Sequence, residues 1–138
     1  MRRGITASCF DLLHAGHILM LKEAKTDCDY LIVALQVDPT IDRPEKNKPI
    51  QSFYERWVQV SAVKYVDEVI PYSTEKELLT ILQNYVIDVR ILGEEYRTKP
   101  FTGDNLDIDL FFNKRTHQYS STELKQRIID GTSELKSK

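Results

Sequence analysis

Two histidines, His14 and His17, stand three residues apart around Gly16, directly after a short apolar run. If Gly16 and His17 open a helix, His14 lies in the turn before it and His17 in its first turn. The N-terminus of a helix carries free N–H groups and a positive dipole, so it favours phosphate. A glycine between the histidines lets a phosphate approach the backbone closely. The spacing therefore predicts a phosphate site that both imidazoles contact.

Strand and helix patterns alternate along the rest of the chain, and this order must position the histidines. Each apolar run of strand length is followed by residues at helical spacing or by a capping signal. Such alternation is typical of an α/β fold, a Rossmann-like doubly wound parallel sheet of about five strands with helices on both faces. Ligands bind such sheets at the carboxyl ends of the strands. The predicted strands are 5–9, 30–37, 66–70 (ended by Pro71), 89–93 and 107–112.

Composition limits the class of protein. The 138 residues predict a single domain, 1–138, with a frayed tail over 131–138, and 41% of them are hydrophobic. A net charge of −2 argues against a large face for nucleic acid, and no apolar run reaches membrane-spanning length. The cysteines, Cys9 and Cys28, show no metal-binding spacing, so a reduced, cytoplasmic protein is expected.

The stretch 10–17 resembles the HxGH signature of the nucleotidyltransferase superfamily, in the form found in the glycerol-3-phosphate cytidylyltransferases. The resemblance implies that Cys9, Phe10 and Gly16 line the nucleotide's phosphates and that His14 and His17 are catalytic. Ser8 and Cys9 replace the family's usual Gly-Thr, and Cys9 is interpreted as a packing residue beside the site.

The polar segment 38–51 and the helix after it carry further cations. The run alone is typical of a solvated loop, whereas the resemblance implies that Lys46 and Lys48 cover the phosphates and that Arg56 holds them. The segment 64–71 resembles the family's RYVDEVIP, with Lys64 in place of the arginine associated with the acceptor.

Two later motifs complete the resemblance. Residues 88–96 are similar to DVFVMGDDW, which implies that Gly93 and Glu94 line the nucleotide pocket and that Tyr96 lines the acceptor pocket, although an acidic solvated loop is also possible. Residues 115–122 resemble RTxGISTT, and His117 within them is interpreted as a loop residue. Their implied phosphate ligands are Arg115 (also catalytic), Thr116, Ser120, Ser121 and Thr122.

The resemblance implies transfer of CMP from CTP to a small phosphorylated alcohol similar to glycerol 3-phosphate, with release of pyrophosphate. The alternatives are an adenylyltransferase that uses ATP to make a dinucleotide-type product, and a nucleotide-binding regulatory domain without turnover. Mg²⁺ is expected mainly on the triphosphate. Asp11 is assigned to the acceptor side, where it could also orient that metal or brace the loop.

A homodimer is implied as well. The aromatic side chains of Phe53, Tyr54 and Trp57 suit an interface, but they equally suit the core.

Overall fold

The computed structural model describes the backbone of residues 1–137 and the side chains of residues 1–132. Five strands alternate with helices along the chain. In order, the elements are β1 (Arg3–Ser8), α1 (Ala15–Lys25), β2 (Tyr30–Gln36), α2 (Phe53–Ser61), β3 (Glu68–Tyr72), α3 (Glu75–Asn84), β4 (Val89–Gly93), a 3₁₀ turn (Glu94–Arg97), β5 (Asp109–Asn113) and α4 (Ser121–Ser137).

All strand pairs are parallel, and the strand order is β3-β2-β1-β4-β5. From β1 to β3, each strand is added on the same side of the one before it. The chain then crosses back and places β4 on the other side of β1. The order reverses between β1 and β4, so their carboxyl ends border the crevice where such sheets bind ligands. The predicted α/β doubly wound fold is confirmed.

Two apolar layers cover the faces of the sheet. One joins β2 and β4 to α1 and α2 and includes Leu21, Val60 and Ile91. The other lies under α3 and includes Ile5 and Leu82. Side chains alternate between the faces of a strand, so neighbours on β2 such as Leu31 and Ile32 belong to opposite layers.

The predicted strands other than 89–93 differ from the structure by one or two residues at most of their ends, and two predicted boundaries differ for a structural reason. Pro71 does not end the third strand, because β3 continues to Tyr72 with Pro71 opposite Leu35. β3 is the edge strand, where a residue without an N–H group is tolerated. The chain from Gly131 to Ser137 continues α4, whereas the sequence predicts a frayed tail there. Lys138, the end of that tail, lies outside the described residues.

None of the helices that the structure describes combines the length and the apolar composition needed to cross a bilayer.

Candidate active site

A cleft of about 1010 Å³ opens at the carboxyl ends of the strands. It brings together twelve of the residues that the sequence analysis selected, drawn from four separate segments. They are Cys9, His14, Gly16, His17, Lys46, Gly93, Glu94, Tyr96, Arg115, Thr116, Ser120 and Ser121.

His14 and His17 are oriented by the backbone that opens α1. His14 is the N-cap of α1, and its Nδ1 accepts a hydrogen bond from the Gly16 N–H at 3.0 Å. Nδ1 of His17 accepts one from the His14 N–H at 3.2 Å. An Nδ1 that accepts leaves the proton of a neutral imidazole on Nε2. Both histidines therefore offer an Nε2–H donor at the start of the helix.

Both imidazoles are neutral in the folded protein. Burial, together with a smaller effect of the neighbouring His14, lowers the pKa of His17 to about 4. Burial also lowers the pKa of His14, with smaller contributions from His117 and Arg115. A neutral Nε2–H group is a hydrogen-bond donor that carries no charge of its own. The pair thus suits an anion whose charge is balanced by other cations.

Gly16 allows the rings to crowd the start of α1. A Cβ atom at this position would lie 2.8 Å from Cε1 of His14 and 2.9 Å from Cε1 of His117. Such distances are too short for real Cβ atoms, so one of the imidazoles would have to move. The glycine is therefore needed for the close approach of the His14 and His117 rings to the start of α1.

The loop before α1 holds an unusual backbone conformation. Phe10 and Leu12 have positive φ angles of 49° and 52°. Residues without glycine's freedom rarely adopt this region, and such strain persists where surrounding contacts over-determine it. Here the Leu12 N–H donates to Gln51 Oε1 at 2.9 Å, and the Phe10 ring packs edge-on against His17. Phe10 is 1% exposed, so it supports the histidine from the core and does not line the cleft.

Arg56 does not reach the cleft, which corrects the sequence interpretation. Its side chain is 1% exposed. Its guanidinium donates to the carbonyl oxygens of Cys9 at 3.0 Å, Gln36 at 2.5 Å and Val37 at 2.6 Å, with a longer bond to Gln51. A planar fork of donors matches several carbonyls at once. Arg56 therefore ties the end of β1 to the end of β2 and is not a phosphate ligand here.

Asp11 has the loop-bracing role that the sequence allowed. Its carboxylate accepts hydrogen bonds from the N–H groups of Ile50 at 2.9 Å and Gln51 at 3.0 Å. These bonds fasten the end of the 38–51 loop to the loop before α1. The carboxylate does not line the cleft, so its assignment to the acceptor side is not supported.

Three more predicted residues lie outside the cleft. Lys48 is exposed on the 38–51 loop, and Thr122 lies within the first turn of α4. Lys64 precedes β3 and therefore lies toward the amino ends of the strands, where its ammonium faces the Tyr65 ring at 5.2 Å. The structure does not bring Lys64 to the acceptor side of this cleft.

The start of α4 borders the cleft beside the start of α1. The Ser120 hydroxyl accepts from the Glu123 N–H at 3.1 Å and so caps the helix. The Ser121 hydroxyl donates to the Asp11 carbonyl at 3.4 Å, which joins α4 to the loop before α1. Arg115 donates to the Tyr119 carbonyl at 2.8 Å and lines the cleft. Two helix N-termini and one guanidinium thus face a common space.

Cys9 lines the cleft without the features of a nucleophile. Burial raises the pKa of its thiol, and Sγ lies 3.8 Å from Gln36 Oε1. A reactive cysteine needs a lowered pKa. The prediction that Cys9 is a packing residue fits these contacts.

The structure adds residues to the cleft that the sequence analysis did not select. Arg90, in the middle of β4, is 6% exposed and lines the cleft. Tyr72, at the end of β3, is also buried there, and burial raises the pKa of its phenol. His117 lines the cleft beside Gly16, and its Nδ1 accepts from the Tyr119 N–H at 3.1 Å. An arginine inside an otherwise apolar strand is the signal that would have identified Arg90.

Comparisons with known proteins agree with this geometry. Residues 5–127 match the model of the family described as "Cytidylyltransferase-like". The chain is 33% identical over 129 residues to glycerol-3-phosphate cytidylyltransferase of Bacillus subtilis (strain 168), covering 93% of this chain and 98% of that one. It is 31% identical to FAD synthase of Thermococcus sibiricus (strain DSM 12597 / MM 739), covering 93% of each chain.

A solved structure resembles the fold. The lipopolysaccharide core biosynthesis protein from Thermoplasma volcanium GSS1 superposes with a TM-score of 0.69 at 26% identity. The match covers 85% of this chain and 99% of that one.

Proposed function

The chain belongs to the cytidylyltransferase-like family of nucleotidyltransferases, and from this premise we propose that it transfers CMP from CTP to the phosphate of a small phosphorylated alcohol. The observation that carries the proposal is the pair of neutral imidazoles, His14 and His17, locked by the backbone at the N-terminus of α1. Glycerol 3-phosphate is the acceptor that the similarity to the Bacillus subtilis enzyme favours.

The proposed step is one in-line displacement at phosphorus. An oxygen of the acceptor phosphate attacks the α-phosphorus of CTP, and the bond from that phosphorus to the oxygen shared with the β-phosphorus breaks. The bonding electrons leave with pyrophosphate. The attacking oxygen is already anionic, so no strong general base is needed, and catalysis consists of positioning and charge stabilisation.

The residues of the cleft divide this work. His14 and His17 donate Nε2–H groups to the oxygens of the α-phosphate and to the bridging oxygen. Lys46 and Arg115 supply the positive charge that the departing pyrophosphate requires. The free N–H groups at the start of α4, beginning at Ser121, donate to the phosphates from beside α1.

Mg²⁺ is proposed to be bound by oxygens of the triphosphate, where it neutralises part of the charge. Among the described residues, no group of three or more His, Cys, Asp and Glu side chains is arranged to hold a metal ion. The carboxylate oxygens of Asp11 are already occupied by the backbone of the 38–51 loop. The ion is therefore assigned to the triphosphate and not to Asp11.

A second candidate is adenylyl transfer from ATP, which the similarity to an FAD synthase supports. A nucleotide-binding regulatory domain without turnover is a third. Pyrophosphate release from each nucleoside triphosphate, measured across a panel of phosphorylated alcohols and riboflavin phosphate, separates them. The proposal expects release that requires CTP and one of the alcohols. Pyrophosphate release with ATP and with no other nucleoside triphosphate supports adenylyl transfer. Thermal stabilisation by nucleotide without pyrophosphate release supports the regulatory domain.

The homodimer remains part of the proposal, but only one of the three aromatic residues named from the sequence, Tyr54, is exposed for an interface. Phe53 and Trp57 pack against the core, whereas Tyr54 is 74% exposed and Val58, one turn later, is 47% exposed. This pair on α2 is the aromatic and apolar surface that a second copy would cover. Sedimentation at micromolar concentration should show a dimer that Tyr54→Ser weakens. Tyr85→Ser, which changes an exposed tyrosine on α3, is the control.

For location, the two free cysteines, Cys9 and Cys28, support the proposed cytoplasmic setting.

A further inference from the structure

Arg90 is a buried cation that the proposed step leaves unused. Its side chain is 6% exposed, in the middle of β4 between Val89 and Ile91. Val89 and Ile91 pack in the apolar layer under α1 and α2, so Arg90 projects from the other face of the sheet, toward α3. The motif that residues 88–96 resemble has a phenylalanine at this position. An arginine here needs its own explanation.

The guanidinium is only partly satisfied by the protein. One N–H group donates to the Thr102 carbonyl, and the Phe101 ring lies 5.1 Å from the guanidinium carbon. Arg90 belongs to no ion pair among the described residues. Glu75 is the carboxylate with the largest effect on the pKa of Arg90, which it raises. It accepts a hydrogen bond from the Thr102 hydroxyl at 2.8 Å and none from Arg90. Burial lowers the pKa of Arg90 and outweighs the opposite effect of the Glu75 and Asp104 carboxylates, neither of which forms an ion pair with it.

The surroundings of Arg90 form one end of the cleft. Tyr72, Leu78, Phe101 and Thr102 line the same cavity, on the side of the sheet that α3 covers. The histidines and the start of α4 lie at the other end, on the side of α1. The cleft therefore extends beyond the triphosphate site into a chamber lined by apolar side chains, the Tyr72 hydroxyl, the Glu75 carboxylate and the Arg90 guanidinium. A buried, unpaired charge is costly unless an ion of opposite sign joins it.

We propose that Arg90 binds an anionic group of the acceptor substrate in this chamber and so determines which acceptor is used. The inference rests on the proposed function, because it assumes that the other end of the cleft holds the nucleotide. The anion has two possible sources. It is either the phosphate that attacks or a second acidic group on the acceptor, such as a carboxylate.

Arg90→Leu removes the charge and keeps an apolar side chain of strand type, and Arg90→Lys keeps the charge. Lys76→Gln, which removes an exposed cation from α3, is the control. Calorimetry measures the dissociation constants of CTP, inorganic phosphate, glycerol 3-phosphate and 3-phosphoglycerate for each protein. Thermal unfolding of each variant is recorded alongside. Pyrophosphate release by the wild-type protein is measured separately and reports on the proposed function alone.

We expect Arg90→Leu to weaken binding of glycerol 3-phosphate, 3-phosphoglycerate or both by about tenfold to a hundredfold, the range for a charge-assisted hydrogen bond. CTP binding and the melting temperature should stay close to wild type. Arg90→Lys should restore part of the affinity. Equal losses for both organic probes assign Arg90 to the attacking phosphate, and a loss confined to 3-phosphoglycerate assigns it to a second acidic group.

Two results would overturn the inference. One is that wild type and Arg90→Leu bind every probe equally, which includes the case in which neither protein binds measurably at millimolar concentration. The other is a parallel loss of CTP affinity, probe affinity and melting temperature, which identifies Arg90 as a structural tie to the loop that carries Thr102. If wild type releases no pyrophosphate while probe binding depends on Arg90, the proposed function fails and the anion site stands.

Discussion

The imidazole rings of His14 and His17 lie stacked, with their centroids 3.9 Å apart and their planes inclined by 26°. Each ring uses Nδ1 to accept a backbone N–H group, so the two Nε2–H groups are presented together. Burial is the main reason why neither ring is protonated, and the adjacent His14 adds to this effect at His17. The histidine spacing read from the sequence thus corresponds to one defined pair of donors.

This geometry sets the choice of variant for testing the pair. Alanine at position 14 would remove the N-cap of α1 at a cost of about 1 kcal/mol, which confuses catalysis with stability. Asparagine places a polar atom near the position of Nδ1 and lacks Nε2. We expect His14→Asn and His17→Asn each to lower kcat by about 10²–10³ while unfolding near the wild-type temperature. A folded variant with near wild-type turnover would show that its Nε2 group is not used.

Arg56 should behave as a structural residue in spite of its motif. Arg56→Met leaves three or four carbonyl oxygens without their donor, and each unsatisfied group costs about 1–3 kcal/mol. We expect a loss of about 3 kcal/mol or more in the free energy of unfolding, measured with urea. Arg56→Lys should recover little, because an ammonium cannot span the same carbonyls. If an Arg56 variant has unchanged stability and a raised KM for CTP, Arg56 binds the phosphates of the nucleotide and the structural role is wrong.

Stability should fall on acidification because of His17. Its pKa is about 4 in the folded protein against 6.5 ordinarily, so the unfolded chain binds a proton in this window that the folded chain does not. Folding stability is therefore full above pH 6.5 and declines as the pH falls toward 4, by up to about 3 kcal/mol. Urea unfolding across this range measures the slope. His17→Asn should flatten it, and an unchanged slope in that variant would contradict the assignment.

Lys46 and Lys48 should differ in their effects on nucleotide binding. Lys46 lines the cleft and Lys48 does not, although both lie on the 38–51 loop. Lys46→Ala should raise the KM for CTP and lower kcat, with a smaller effect from Lys48→Ala. Salt should reduce the difference, because the contact is ionic. Equal effects of the two substitutions would show that the loop acts through general charge.

Trypsin tests closure of the same loop. Arg43 and Lys48 are each followed by proline, which leaves Lys46 as the accessible cleavage site within 43–48. CTP with magnesium should slow cleavage after Lys46. Identical rates with and without saturating nucleotide would mean that the loop does not close over the triphosphate.

The fold was predictable from the sequence because the strands of a doubly wound sheet are continuous apolar runs. Residues 30–35 illustrate this, since burial on both faces removes any alternation with polar residues. Pro71 was misread because a sequence does not reveal that β3 is an edge strand. Edge position depends on the strand order, which is decided by tertiary packing.

The site was predictable in part, and Arg56 and Arg90 show where the limit lies. A motif states that an arginine is near the site, but not whether its guanidinium faces the ligand or the carbonyl groups of neighbouring loops. Arg56 takes the second option, and its burial has no signature in sequence. Arg90 lay inside a strand pattern, so its direction depended on which face carries α3. His14 and His17 were predictable because local backbone hydrogen bonds orient them.

The central claim is direct transfer of the α-phosphorus of CTP to an acceptor phosphate, and positional labelling tests it most directly. CTP labelled with ³²P at the α position or at the γ position is incubated with the protein, magnesium and glycerol 3-phosphate, and the products are separated and identified by mass. The account predicts that the α label enters a CMP–acceptor adduct and that the γ label enters pyrophosphate. His14→Asn should slow both together. Transfer of the γ label to the acceptor, or an α label found only in free CMP, would contradict it.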